Sequence, residues 1–420
     1  MRLFYAAIAI LGAAYLIQIG TPLRLHNDAI VLLSMAESAA QGTGFLLHGA
    51  MTHQPPGYPA MIALLIRFGV LHPWIVVAIN LIFLGIGLYS GFLLLTRYFR
   101  LEVSNAQVIC LMCLLSFVMV RHFTIALADI CYLGVSLICL LAMGESWGAR
   151  TATRNMVLLT AAGVLVIASI MLRRVGVALI PALAWTLAGH PETRDFLARL
   201  AIRKKAALGF GLIILSVLIA WTVVKTTTLI DFHKTIAGYT PTSAAKDIAG
   251  FRVLEVGELA ANVPAVAAPP ALRRALPWLG IAALALIACG AALKAKSFGP
   301  ADVYFHSYVA ILFVWPYYDP RFWLPVLPLM LGYSALALGR VLKREGARKM
   351  MAAYLAIFSV MGVTILTASA IISFSGPRFP DAYGNGQFRP TYCAAFRSCS
   401  AAYDPTQVDA GGLHLLLTYR

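Results

Sequence analysis

Residues 26–60 read HNDAIVLLSMAESAAQGTGFLLHGAMTHQPPGYPA, a stretch with a carboxylate at Asp28, histidines at 26, 48 and 53, and a Pro-Pro turn, placed between two strongly apolar segments. Asn27 is the expected N-cap of a helix. Asp28 then falls in the first turn, where the positive end of the helix dipole favours a carboxylate. Ser34, Glu37, Ser38 and Gln41 follow at i, i+3, i+4 and i+7, one polar stripe on an otherwise apolar helix of about four turns. Such a helix is predicted to lie along a membrane surface. Gly42-Thr43-Gly44 ends it, and HQPPGYP at 53–59 forms a stiff turn, because proline fixes φ and biases the preceding residue to extended geometry.

Working outward, the 420 residues are 60% hydrophobic and only 12% charged, and apolar runs of about 17 to 20 residues recur along the whole chain. Soluble cores do not need so many uninterrupted runs, so the chain reads as an all-α, polytopic integral membrane protein. A net charge of +16 would suggest nucleic acid in a soluble protein. In a membrane protein it means orientation and contact with anionic lipid, and no nucleic-acid partner is expected.

Eleven spans are predicted, at about residues 3–20, 75–96, 105–120, 130–143, 156–172, 175–189, 207–224, 277–293, 303–315, 322–338 and 351–374. The first is read as a retained span, since no small-x-small cleavage site follows it. External loops are expected at about 21–74 and 225–274, the second only partly ordered. Residues 1–374 thus form one transmembrane domain and 375–420 an external tail, with no internal repeat. About half of the 33 Lys and Arg fall in short loops on one side, among them Arg97, Arg150, Arg194, Lys204, Lys294 and Arg340. That density places the N-terminus in the cytoplasm and, with an odd span number, the C-terminus outside a bacterial inner membrane. Five of the seven cysteines lie in apolar segments and read as packing residues, the Cys110-x-x-Cys113 pair included. Cys393 and Cys399, in the polar tail, are expected to form a disulfide in an oxidising compartment.

Under this topology Asp28, the 53–59 turn, Arg121-His122, Asp129, Arg173-Arg174 and Asp319-Pro320-Arg321 all fall at the outer boundary. Ionisable residues at membrane depth are costly, and their convergence on one side marks a functional cavity. Each also has a plainer reading: Asp28 and Asp129 as helix caps, Arg173-Arg174 as an interfacial anchor, Asp319 and Arg321 as a local ion pair at a turn. His26, His53 and His122 could serve a site. No ligand spacing asks for a metal, so no metal site and no cofactor are expected, although a divalent ion is compatible with the chemistry below.

Taken together, an external Asp after the first span, an amphipathic helix, the HQPPGYP turn, an Arg after the fifth span and DPRFWLPVLP at 319–328 resemble the GT-C superfamily of polyprenyl-phosphate-dependent glycosyltransferases. The pattern is most similar to the bacterial relatives of protein O-mannosyltransferases and to the lipid A aminoarabinose transferases. The resemblance implies Asp28 as the catalytic acid position of the first loop, Asp129 as a second external acid and Gln54-Pro55-Pro56 as the proline-rich turn. Two positions depart from it: Gln54 stands where the aminoarabinose branch has lysine, and Leu32 where an aromatic is common.

The function expected on these grounds is inverting transfer of a sugar from a polyprenyl-phosphate-linked donor to a hydroxyl of an acceptor glycan, lipid or protein at the outer face. Such a reaction needs a base for the acceptor hydroxyl and cations for the leaving phosphate. Asp28, with Asp129, is the candidate for the first. Arg173, Arg174, Arg321, Arg121, His53, Gln54 and Tyr58 are candidates for binding the donor and its phosphate. Two other classes compete: a lipid or solute transporter or flippase, which would place polar residues in mid-span within symmetric halves, and an O-antigen ligase or polymerase, whose key residues would lie in a large later loop such as 225–274.

Overall fold

The computed structural model describes residues 2–47, 49–52, 54–148, 151–189, 240–341, 345–383 and 387–419. His48, His53 and the seventh predicted span at 207–224 lie outside the described residues.

Helix α1 (Arg2–Leu16) runs into a 3-10 turn (Ile17–Gly20), and an extended segment leads to α2 (Asn27–Ala40). A two-residue hairpin, β1 (Leu46–Leu47) with β2 (Ala50–Met51), precedes α3 (Gly57–Arg67). Then follow α4 (Pro73–Arg97), α5 (Val103–Leu115), α6 (Phe117–His122), α7 (Ala128–Trp147), α8 (Ala152–Leu172), a 3-10 turn (Arg174–Ala178) and α9 (Leu179–Gly189). Beyond the undescribed stretch come α10 (Pro241–Ala261), α11 (Pro270–Lys294), α12 (Pro300–Leu312), a 3-10 turn (Pro320–Val326) with α13 (Leu327–Val341), and α14 (Glu345–Ser373). The chain closes with α15 (Phe379–Ala382), α16 (Arg389–Phe396) and α17 (Ala410–Thr418).

Among the described residues six helices are long and apolar enough to cross a membrane: Pro73–Arg97, Ala128–Trp147, Thr153–Leu172, Pro270–Ser297, Pro320–Arg340 and Glu345–Ser373. Shorter apolar helices cover Ala6–Gly20, Gly57–Arg67, Val103–Leu115 and Arg174–Gly189. The predicted spans that lie within the described residues fall on helical segments, except that the third is interrupted at Ser116 and the ninth runs past Leu312, where its helix ends. The protein is an all-α, multi-pass membrane protein. Helix α7 is its axis, with 83% of its apolar window buried, against 22% for α8, α11 and α14 at the rim. A side chain buried by protein on all sides is a core residue, whereas a rim helix keeps an apolar face for lipid.

Three expectations from the sequence are corrected. The third span is broken at Ser116, which is extended (φ −66°, ψ 131°). The break is held from outside: Asn262, the left-handed cap of α10, accepts from Phe117 N at 2.7 Å and donates to Leu115 O at 2.9 Å, supplying the partners the helix interior lost. The loop expected to be partly ordered instead carries α10, which starts at a Thr240 cap with Pro241 in its first turn and packs along α11. Finally, α2 does not present its apolar face to lipid. Ala29, Ile30, Leu32, Leu33 and Ala36 are buried in a second core, built with Tyr58, Ile62 and Ala63 of α3 and with Phe379, Tyr392, Leu415 and Leu416 of the C-terminal segment. Tyr58, a candidate for donor binding, is only 1% exposed in that core. In the same segment Cys393 and Cys399 are joined by a disulfide, with Cα atoms 5.6 Å apart.

Candidate active site

Asp28 is presented by the first turn of α2, but the cap is one residue earlier than predicted. His26 is extended (φ −149°, ψ 150°), and its Nδ1 accepts from Asp28 N at 3.2 Å. Burial, followed by the charge of Arg321, holds the His26 pKa below its ordinary value, which favours the neutral ring that can accept this bond. Asn27 is thereby the first helical residue.

Arg321 comes from the other end of the sequence. Asp319 caps the 3-10 turn by accepting from Arg321 N at 3.0 Å, and its second oxygen pairs with Arg321 Nε at 2.6 Å. The Nη2 of the same guanidinium pairs with Asp28 Oδ2. One buried arginine, 7% exposed, therefore joins two carboxylates that are 291 positions apart in the chain. A guanidinium suits this task because its donors lie in a rigid planar fork.

Arg173 ends α8 in extended geometry (φ −148°) and pairs with Asp129, which lies in the first turn of α7 and is 3% exposed. The turn that follows folds back tightly: a Cβ at Gly176 would lie 2.6 Å from the backbone oxygen of Ser169, so only glycine fits. The proline turn docks here too, since a Cβ at Gly57 would lie 2.6 Å from the Met171 carbonyl oxygen. Gln54, just before this turn, and Arg173 line the same cavity. The Phe322 ring lies 5.7 Å from the Arg173 guanidinium and 5.6 Å from that of Arg321, spacing the two cations.

These groups open onto one cavity of about 660 Å³. Asp28, Gln54, Arg173, Arg174 and Arg321 line it together with His26, Asn27, Thr52, Asp319 and the aromatic run Trp315 to Tyr318. The Asp28 side chain is 38% exposed to it. The remaining candidates are not in its wall. Asp129 stands behind Arg173 as its buried counter-ion, Tyr58 is in the core, Arg121 is on the exposed surface, and His53 lies outside the described residues. His122 is buried with Nδ1 2.7 Å from Val118 O, a helix-internal contact. Among the described residues no group of three or more His, Cys, Asp or Glu side chains could hold a metal ion.

Sequence reasoning missed the support beneath this wall. Glu255 of α10 is fully buried and accepts from Asp319 N at 2.7 Å and from Trp323 Nε1 at 2.8 Å. Arg252 pairs with Glu255 at 2.8 Å and donates to the Tyr317 carbonyl. Burial pushes the Glu255 carboxyl up to about 7. The available signal was the spacing Arg252, Glu255, Glu258, three charges on one face of an otherwise apolar FRVLEVGEL.

No protein-family model matches the chain, and no curated protein sequence does. Solved structures do. ArnT from Cupriavidus metallidurans in the apo state superposes over 100% of this chain and 84% of its own, at 13% identity and a TM-score of 0.54. The archaeal oligosaccharyltransferase AglB from Archaeoglobus fulgidus, in complex with an inhibitory peptide and a dolichol-phosphate, matches over 97% of this chain and 61% of its own, at 13% identity and a TM-score of 0.51. A second structure of that oligosaccharyltransferase, tethered to an acceptor peptide, gives 15% identity and the same TM-score of 0.51 over 59% of its length. The chain therefore spans about three-fifths of the archaeal protein. The class these matches define is the GT-C fold of polytopic membrane glycosyltransferases, and this chain has that fold.

Proposed function

We propose that the cavity transfers a sugar from a polyprenyl-phosphate-linked donor to an acceptor hydroxyl, with inversion. The observation that carries this reading is the opening of Asp28, Arg173 and Arg174 onto one cavity. The GT-C fold and the dolichol-phosphate bound in the archaeal neighbour support a lipid-phosphate donor. In the step, Asp28 takes the proton of the acceptor hydroxyl through Oδ1, since Oδ2 faces Arg321. The acceptor oxygen bonds to the anomeric carbon as the bond from that carbon to the phosphate oxygen breaks, and the lipid phosphate leaves with the electron pair. Arg173 and Arg174 offset its growing charge. A single displacement with no enzyme nucleophile inverts the anomeric centre.

The test is the ligand itself. Mass spectrometry of the purified protein is expected to show a co-purified polyprenyl phosphate, and its absence together with no binding of added undecaprenyl phosphate would remove the reading. Arg174→Ala should weaken that binding by roughly tenfold to a hundredfold, the loss of one charge-assisted hydrogen bond of about 1.5–3 kcal/mol. An unchanged affinity would exclude Arg174 from the phosphate site. Arg173→Ala is a less direct probe, because it leaves Asp129 buried without its cation and should cost about 3–5 kcal/mol of stability.

We also propose eleven spans in a bacterial inner membrane, with a cytoplasmic N-terminus and an external C-terminus. The basic short loops support this orientation, as does the Cys393–Cys399 disulfide, a bond that persists in oxidising compartments. A reporter active only outside the cytoplasm should be active when fused after residue 420, and activity confined to a cytoplasm-specific reporter would contradict the topology.

A further inference from the structure

The C-terminal segment has one more feature: its polar side chains converge on the residues that lead into Asp28. Tyr392 of α16 is fully buried, and its hydroxyl accepts from Leu25 N at 2.7 Å and donates to Leu23 O at 2.9 Å. The Tyr383 hydroxyl donates to Leu25 O at 3.1 Å, and Gln387 Nε2 donates to Asn27 Oδ1, also at 3.1 Å. The Arg24 guanidinium lies 5.2 Å from the centre of the Tyr383 ring. It is bound from the far side by Ser369 and Ser373 of α14, at 2.7 to 3.0 Å.

The chemistry of residues 21–26 explains the need. They are not helical and, apart from one isolated bridge between Arg24 and Ile125, belong to no strand. Such a backbone leaves N–H and C=O groups that require outside partners when buried. A single tyrosine hydroxyl, as donor and acceptor at once, supplies two of them, three and five residues before the carboxylate. The element that carries Tyr392 is itself fastened. The disulfide begins at the next residue, Cys393, and closes on Cys399, and Thr391 accepts from Asp409 N at 3.0 Å, which anchors α17. From there Leu415 and Leu416 press on α2.

We propose that the C-terminal segment is a clamp that sets the position of Asp28, with Tyr392 as its positioning residue and the disulfide as its fastening. The clamp rests on the reading of Asp28 as the base, but its geometry does not. A perturbed Tyr392 lets residues 23–27 move, the His26 cap moves with them, and Asp28 shifts against Arg321 without any change at the phosphate-binding arginines.

The test uses the full chain in nanodiscs, with Tyr392→Phe, the milder Tyr383→Phe and Cys399→Ser. Hydrogen–deuterium exchange is read over peptides covering residues 23–30, binding is probed with undecaprenyl phosphate, and turnover with a panel of undecaprenyl-phosphate-linked monosaccharides. Tyr392→Phe should speed exchange of these amides by at least about tenfold and lower turnover by about tenfold, with less than about a twofold change in undecaprenyl phosphate affinity. Tyr383→Phe and Cys399→Ser should move both in the same direction, by less. In an Asp28→Asn background the Tyr392→Phe loss of turnover should vanish, because the residue acts through Asp28. Unchanged exchange at 23–30, or the same fold loss on top of Asp28→Asn, overturns the proposal. If the parent protein turns over no member of the panel, the transferase reading fails in that assay while the exchange measurement still decides the clamp. Should Tyr392→Phe not fold, the same criteria apply to Tyr383→Phe.

Discussion

Asp28→Asn is expected to lower turnover by roughly a hundredfold to ten-thousandfold while undecaprenyl phosphate still binds, because asparagine keeps the shape of the side chain and loses only the capacity to take a proton. The structure sharpens this experiment. Had Asp28 been the cap of α2, asparagine would have served nearly as well and the variant would have tested stability. The cap is His26, whose Nδ1 accepts from residue 28 through the backbone, so the substitution leaves it intact. What changes is a charge in the first helical turn, worth about 0.3–1 kcal/mol against the dipole, and the ionic part of the contact with Arg321. The asparagine carbonyl oxygen can still accept from that guanidinium. A small shift in melting temperature with a large fall in kcat is therefore the signature of a base. An Asn variant that transfers sugar at close to the parent rate would refute the role.

Much of this arrangement was legible in the sequence, and the parts that were not have physical reasons. The long apolar helices could be read because a membrane-crossing helix needs a continuous apolar run, and that property is local. The gathering of Asp28, Arg173, Arg174 and Arg321 into one cavity followed from topology alone, since alternating spans return charged ends to the same face. Hidden were the interactions that cross between distant segments. Nothing near Ser116 announces a break, because its cause is Asn262, 146 positions later. Asp129 looked like a second catalytic acid because its position is right. Only the packing of α7 against the end of α8 shows it consumed by Arg173. Helix α10 was hidden because 225–274 reads as a partly ordered external loop, and only packing against α11 and the Trp323 turn shows Arg252, Glu255 and Glu258 buried.

Two positions share one logic. Glu255 holds the backbone of Asp319 from below, Asp319 holds Arg321, and Arg321 holds Asp28, a chain of partners running from a buried helix to the cavity. From the opposite side Tyr392 holds the backbone before Asp28. A carboxylate 38% exposed in an open cavity has less packing to fix its rotamer than a core side chain, so its orientation depends on such partners, and misplacement by about 1 Å can cost a hundredfold in rate.

Arg321→Lys should expose that dependence, with kcat falling by about a hundredfold while the protein stays folded. Lysine keeps the positive charge, so neither Asp28 nor Asp319 is left without a cation, and stability should change by no more than about 1–2 kcal/mol. It cannot keep the geometry. The guanidinium donates a hydrogen bond to Asp28 Oδ2 through Nη2 and holds Asp319 Oδ2 by an ion contact of 2.6 Å at Nε, two positions on one rigid plane, whereas an ammonium on a flexible stem offers one centre. Arg321→Ala is the harsher variant: it uncovers two carboxylates in a half-buried wall and should cost about 3–5 kcal/mol, so its rate would report unfolding as well as chemistry. Donor affinity then separates two roles for the arginine. In the sequence Arg321 looked like a phosphate ligand, and in that role Lys would weaken undecaprenyl phosphate binding in parallel with Arg174→Ala. In the structure two acids already engage it, which supports the proposal that it orients Asp28, and in that role kcat should fall while lipid-phosphate affinity holds. A lysine variant with near-parental kcat would remove Arg321 from the machinery altogether.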